Sequence, residues 1–170
     1  MTQRHYAIMV FLSALAVITS AWAFELIGGF QPCGLCLQQR IPYYIGIPLS
    51  ALTLIFAIKP HHQKWASLVL ALTVLVFLVS LFLAVRHAGV EWDWWLGPAN
   101  CSTGGLSDFG KGGSLLDALK DIKIAFCDEA AGRFLGLSFA GWNALASLLI
   151  ASLALIGVLK GTRKDKAKAS

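Results

Sequence analysis

Two pairs of cysteines carry the chemistry open to this chain. Cys33 and Cys36 form a Cys-Gly-Leu-Cys motif, Cys101 and Cys127 lie in one long polar stretch, and these four are the whole supply. Cys-x-x-Cys spacing lets two thiols close a small, reducible ring, and the thiolate is the reacting form. Pro32 precedes the motif and an apolar run follows it. The motif is therefore expected to open a helix, whose N-terminal partial positive charge stabilises a thiolate. Arg40 stands one helical turn after Cys36, where a fixed cation can support a Cys36 thiolate or an anionic ligand; the plainer role is to snorkel to lipid headgroups. His87 can hydrogen-bond the carbonyl of a ligand or sit among headgroups, and Glu25 can pair with Arg40 or simply occupy the interface.

Other uses of cysteine fit less well. Four thiolates can hold zinc, but the second pair spans a glycine-rich stretch rather than a short knuckle, so no metal is expected. A c-type haem needs histidine after the second cysteine, and Leu37 stands there. A purely structural role suits Cys101 and Cys127. It suits Cys33 and Cys36 poorly, because so small a ring constrains little of the unfolded chain.

The elements that position these residues are apolar. Of 170 residues 57% are hydrophobic and 14% charged, with mean hydropathy +0.69, which fits an integral membrane protein better than a soluble domain. A hydrocarbon core of about 30 Å needs roughly 20 helical residues. Stretches of that kind run from about 6–27, 41–58, 66–85 and 137–159. They predict an all-α, single-domain, integral membrane four-helix bundle with polar loops at about 28–40 and 86–136. Pro42 fits the first turn of the second span, and Pro48 should bend it. Ala21-Trp22-Ala23 resembles a signal-peptide cleavage site, but the apolar run continues through Phe24, Leu26 and Ile27, which favours a retained span.

The net charge of +5 sorts by side. Arg4, Lys59, Lys64, Lys160, Arg163, Lys164, Lys166 and Lys168 fall on one side with Asp165 as the only acid, while the other basic residues are offset by acids. The positive-inside rule then places both termini in the cytoplasm and all four cysteines outside, in a bacterium the periplasm, where disulfides persist. No basic patch with interleaved aromatics points to nucleic acid.

Within the long loop, Glu91-Trp92-Asp93-Trp94-Trp95 suits the headgroup level. A glycine-rich stretch follows, then Ser114 as a candidate N-cap with Asp117 three residues on. Leu115, Leu116, Leu119, Ile122 and Phe126 recur at helical spacing and predict a short amphipathic helix in the interface plane.

The combination resembles the DsbB family of membrane disulfide bond formation proteins over nearly the whole chain. The matching stretches are Pro32-Cys33-Gly34-Leu35-Cys36-Leu37-Gln38-Gln39-Arg40, Arg86-His87-Ala88-Gly89-Val90-Glu91-Trp92, Cys101, Cys127 and Phe134-Leu135-Gly136-Leu137. The resemblance implies a protein-dithiol:quinone oxidoreductase of the bacterial inner membrane. A reduced DsbA-like thioredoxin-fold partner would attack a Cys101–Cys127 disulfide, with Cys101 in the mixed disulfide. Cys127 would pass electrons to Cys33 and Cys36, and Cys36 would reduce a quinone, ubiquinone or menaquinone, held near Arg40 and His87. Gln39 departs from relatives that carry an acid before the arginine. Two alternatives remain at this point: a related thiol redox enzyme with its own substrate, of the vitamin K epoxide reductase kind, or a non-enzymatic protein braced by disulfides. Vitamin K epoxide reductase relatives carry their motif on a later helix, which favours the first reading.

Overall fold

Apolar runs long enough to cross a bilayer leave the backbone no partner but itself, so each must become a helix. The computed structural model describes residues 2–30, 32–58, 62–97, 127, 130 and 132–169. Its helices are α1 (Gln3–Leu26), α2 (Gly34–Ile58), α3 (Gln63–Glu91) and α4 (Phe139–Ala169). Four segments, the last being Phe139–Arg163, are long and apolar enough to span a membrane. A short hairpin of β1 (Arg133–Phe134) and β2 (Leu137–Ser138) leads into α4, with Arg133 opposite Ser138. Its two turn residues, Leu135 and Gly136, both have positive φ, 53° and 81°. That is the geometry of the tight primed turns that join antiparallel strands.

The helices alternate in direction. At one end Gln3 Nε2 donates to Ser67 Oγ at 3.1 Å, the Gln63 amide donates to Gln3 Oε1, and Gly161 packs so closely that a Cβ there would meet Ser67 and Gln3. At the other end Arg40 of α2 meets Glu25 of α1, and Gln39 of α2 meets both His87 of α3 and Asn143 of α4. The core between holds Val10, Ala14, Ile18, Tyr43, Leu70, Phe77, Ile150, Ala151 and Ala154. Small buried residues let neighbouring backbones approach, as membrane helices require. Gly46 is one such point, since a Cβ there would lie 2.7 Å from the Phe77 ring. Leucines and phenylalanines such as Leu12, Leu75 and Phe82 face outward, an apolar surface that only lipid can cover. The expected all-α membrane bundle is the fold observed.

The helices outrun the expected apolar spans, and in α2 and α3 the differences matter for the site. α2 starts at Gly34, so the Cys-Gly-Leu-Cys motif opens a helix as expected, and Cys36 and Arg40 lie on its first two turns rather than in the loop expected to run to about 40. Pro42, expected at the first turn, therefore lies inside the helix, which continues through it and through Pro48. α3 runs on to Glu91, beyond the hydrophobic stretch, and takes His87 with it. The turn after it folds back. Trp92, Asp93 and Trp94 backbone N–H groups donate to the carbonyls of Ala88, Val90 and Gly89, and Asp93 takes φ 56°. Trp95 then packs on Gly89, and its Nε1 donates to Arg86 O at 2.7 Å. Trp92, Trp94 and Trp95 remain exposed, but Glu91, read with them as a headgroup residue, is buried. Cys101 and the amphipathic helix expected after Ser114 lie outside the described residues.

Candidate active site

The dithiol forms where α2 begins. Cys33 precedes the first helical residue, and Cys36 lies on the first turn, so Cys36 N–H donates back to Cys33 Sγ at 3.3 Å. Both are free thiols, hydrogen-bonded to each other with sulfurs 2.9 Å apart. His87, on the inward face of α3, brings Nε2 to 3.6 Å from Cys33 Sγ. The hydrogen bond from Cys36 is the largest influence holding the Cys33 thiol down, to about 4, and His87 adds to it against the opposing effect of burial. We expect the thiolate ultraviolet absorbance of the fully reduced protein to titrate with a midpoint near 4 rather than near the ordinary thiol value of about 8.5. The sign is that of a depressed acid: the thiolate is present at neutral pH and lost as pH falls through the lowered value. A spectrum that gains its first thiolate only above about pH 8 would contradict this arrangement.

Cys127 belongs to the same neighbourhood. It is 2% exposed, disulfide-bonded, and clustered with Cys33, Leu35 and Val90, with Cys36 packed against the group. Three of the four cysteines are thus gathered at one end of the bundle.

Beside the dithiol lies a cavity of about 390 Å³, within the usual range for small-molecule sites. Cys36 lines it and Cys33 does not. One wall is aromatic: Phe24, Phe30 and Phe139 pack at centroid distances of 4.9 to 6.3 Å. The lining also carries the polar groups of Gln39, Arg40, Tyr43, His87 and Asn143. Phe24 and Trp142, also in the lining, stay 47% and 40% exposed on spanning helices, so the cavity reaches the lipid-facing surface. Arg40 donates to Glu25 Oε2 at 2.5 Å and sits 6.0 Å from the Trp22 ring. Its charge is thus held by Glu25 at the cavity wall.

Several site residues were not singled out from sequence. Tyr43 OH donates to Asn143 Oδ1 (2.6 Å), Asn143 Nδ2 to Gln39 Oε1 (2.5 Å), and Gln39 Nε2 to His87 Nδ1 (2.7 Å). The available signal was polarity inside apolar spans, where a polar side chain needs a partner. For Glu91 the signal was its place four residues after His87, on the same helical face. The candidate residues Cys33, Cys36, Arg40 and His87 come together here with Glu25.

Comparison with protein families matches residues 3–157 to the family described as "Disulfide bond formation protein DsbB". Among curated proteins, the chain is 30% identical to "Disulfide bond formation protein B" of Saccharophagus degradans, covering 95% of this chain and 94% of that one. It is 24% identical to "Disulfide bond formation protein B 1" of Pseudomonas fluorescens, over 95% of this chain and 93% of the relative. A protein of the former name from Methylococcus capsulatus is 28% identical over 86% of this chain and 88% of its own length. No solved structure matches the chain.

Proposed function

The chain belongs to the DsbB family of membrane disulfide bond formation proteins, and we propose that it oxidises a periplasmic thioredoxin-fold dithiol protein of the DsbA kind and passes the electrons to a membrane quinone. One observation carries this reading: the dithiol sulfur Cys36 forms part of the wall of a lipid-reaching, aromatic cavity that also holds Arg40 and His87. A quinone is apolar and flat and carries two carbonyl oxygens, which suits a cavity lined by aromatic rings and hydrogen-bond donors. When bound there, it accepts two electrons and two protons.

The protein's own residues divide the work. The donor's dithiol reduces a Cys101–Cys127 disulfide and becomes a disulfide itself. Those loop thiols then reduce the Cys33–Cys36 disulfide, and the packing of Cys127 against Cys33 supports that exchange. Cys33 and Cys36 re-form their bond as the electron pair leaves from the cavity side. With the two sulfurs 2.9 Å apart, their shared proton can sit on either, so the charge can move to Cys36 when the acceptor is near. Arg40 and His87 orient the acceptor. Orientation in the membrane follows from charge: the end of the bundle opposite the dithiol carries Arg4, Lys64 and Lys160. That end is assigned to the cytoplasm and the cysteines to the periplasm of the inner membrane.

The test is steady-state reduction of a soluble quinone by purified protein, with a reduced thioredoxin-fold protein as electron donor. Turnover should require both partners, and Cys101→Ser should block transfer from the donor while leaving quinone reduction from a small dithiol. Equal, partial losses in every cysteine variant would instead indicate that the disulfides only brace the loop.

A further inference from the structure

A buried carboxylate stands beside the dithiol, and the electron path gives it no role. Glu91 ends α3 one turn beyond His87, with its side chain 4% exposed. Its Oε1 lies 3.8 Å from His87 Nε2, and its Oε2 is buried without a hydrogen-bond partner among the described residues. An ionised carboxylate is costly there unless a cation or a proton neutralises it. Arg40, the cation at the cavity wall, is already engaged by Glu25 at 2.5 Å.

The amide relay decides which nitrogen of His87 carries hydrogen. Gln39 donates to Nδ1, its own carbonyl held by Asn143, so Nδ1 is the acceptor and the neutral ring bears its hydrogen on Nε2. That nitrogen faces Cys33 Sγ at 3.6 Å and Glu91 Oε1 at 3.8 Å. The ligating atoms of Cys33, Cys36 and His87 do lie within 4.8 Å of one another, but metal binding would need a bare Nε2. The geometry favours proton traffic over metal ligation.

Reducing the Cys33–Cys36 disulfide adds two electrons, and two protons must follow if the buried cluster is to keep its charge. One proton is shared between the two hydrogen-bonded sulfurs, 2.9 Å apart. Cys33 Sγ also accepts from the Cys36 backbone N–H, with His87 Nε2 close by, so a thiolate is supported there and the second proton needs another site. We propose that Glu91 holds this second proton while the pair is reduced and gives it back through His87 when the pair is oxidised. The step rests on the oxidoreductase reading above, and it balances. The Cys33–Cys36 bond forms, the electron pair enters the acceptor in the cavity, and the proton shared by the two sulfurs goes with it. His87, which lines the cavity, gives its Nε2 hydrogen to the acceptor as the second proton and takes the proton of Glu91 at the same nitrogen. Glu91 is then a carboxylate until the next reduction. It acts through His87 and is a positioning residue that stores a proton.

Among the described residues, the titratable groups facing Glu91 are Cys33 and Cys36 at the start of α2 and His87 on its own helix, while Cys127 is disulfide-bonded. The experiment uses the full chain in detergent, freed of quinone and equilibrated in thiol–disulfide buffers between about pH 5.5 and 8. Oxidation of Cys33 and Cys36 is read by alkylation and peptide mass mapping. Slopes are read at a fixed potential, after allowing for the two protons that the buffer thiols themselves carry per electron pair; on that scale each proton taken up by the protein shifts the equilibrium tenfold per pH unit, ~30 mV for two electrons. The wild type should shift about a hundredfold per pH unit, Glu91→Gln about tenfold, and Glu91→Asp should keep the steep dependence. Equal slopes in wild type and Glu91→Gln, or a wild-type slope of only tenfold, overturn the proposal. Should Glu91→Gln fail to fold, the infrared difference spectrum of the wild type decides: reduction should add a protonated-carboxyl stretch, and its absence overturns the proposal equally. No quinone enters these measurements. A steep slope in a protein that cannot reduce quinone would sink the functional reading and leave the proton store standing.

Discussion

Cys36→Ser is expected to bring quinone reduction down to the uncatalysed background, a loss on the order of 10⁴-fold or more, as when the reacting atom of an enzyme is removed. The size of the effect follows from position. Cys36 is the dithiol sulfur in the cavity wall, and Cys33 sits behind it against Cys127, so without Cys36 no sulfur stands between the loop and the acceptor. Cys127 is not part of that wall. The variant should therefore still oxidise one equivalent of donor dithiol in a single turnover and then stop. Rapid-mixing measurement of donor oxidation beside steady-state quinone reduction separates the two. Continued turnover within tenfold of wild type would show that electrons leave by another route. A fall in both activities matched by loss of folded protein would point to a bracing role.

Much of this arrangement was legible in the residues. Apolar runs of about 20 residues force helices in lipid, whatever the local propensities, so the bundle followed from composition. The Cys-x-x-Cys motif announced its own chemistry, and Pro32 ahead of it correctly implied a helix N-terminus. The start of α2 was misjudged because the hydropathy of 34–40 is diluted by Gln38, Gln39 and Arg40, although helix formation there depends on backbone bonds and packing. The same reasoning hid the last turn of α3. Glu91 reads as a surface acid beside three tryptophans, and only its spacing from His87 hints that it turns inward. The relay from Tyr43 through Asn143 and Gln39 to His87 joins residues a hundred positions apart, and no local pattern encodes that meeting. Cys101 and the stretch around it, where the donor would engage, remain a matter of sequence alone.

Arg40→Ala is expected to raise the Michaelis constant for quinone by about 10- to 100-fold with a smaller change in kcat, since a hydrogen bond to a charged donor contributes about 1.5–3 kcal/mol. Arg40 lies in the cavity wall, where its guanidinium has five N–H donors and Glu25 accepts from one nitrogen. Donors remain to meet a ligand carbonyl, and Glu25 together with the Trp22 ring fixes their direction. Arg40→Lys should give an intermediate constant, because an ammonium keeps the charge but cannot hold Glu25 and a ligand in one planar fork. The removal of Arg40 also strands a half-buried carboxylate, and Glu25→Gln separates that consequence from ligand binding. If Arg40 contacts the acceptor directly, Glu25→Gln leaves the constant within about threefold, as expected for loss of a partly exposed ion pair alone. If Arg40 serves only to satisfy Glu25, the double variant Arg40→Ala/Glu25→Gln should recover wild-type kinetics. An unchanged constant in Arg40→Ala itself would remove the arginine from the acceptor site.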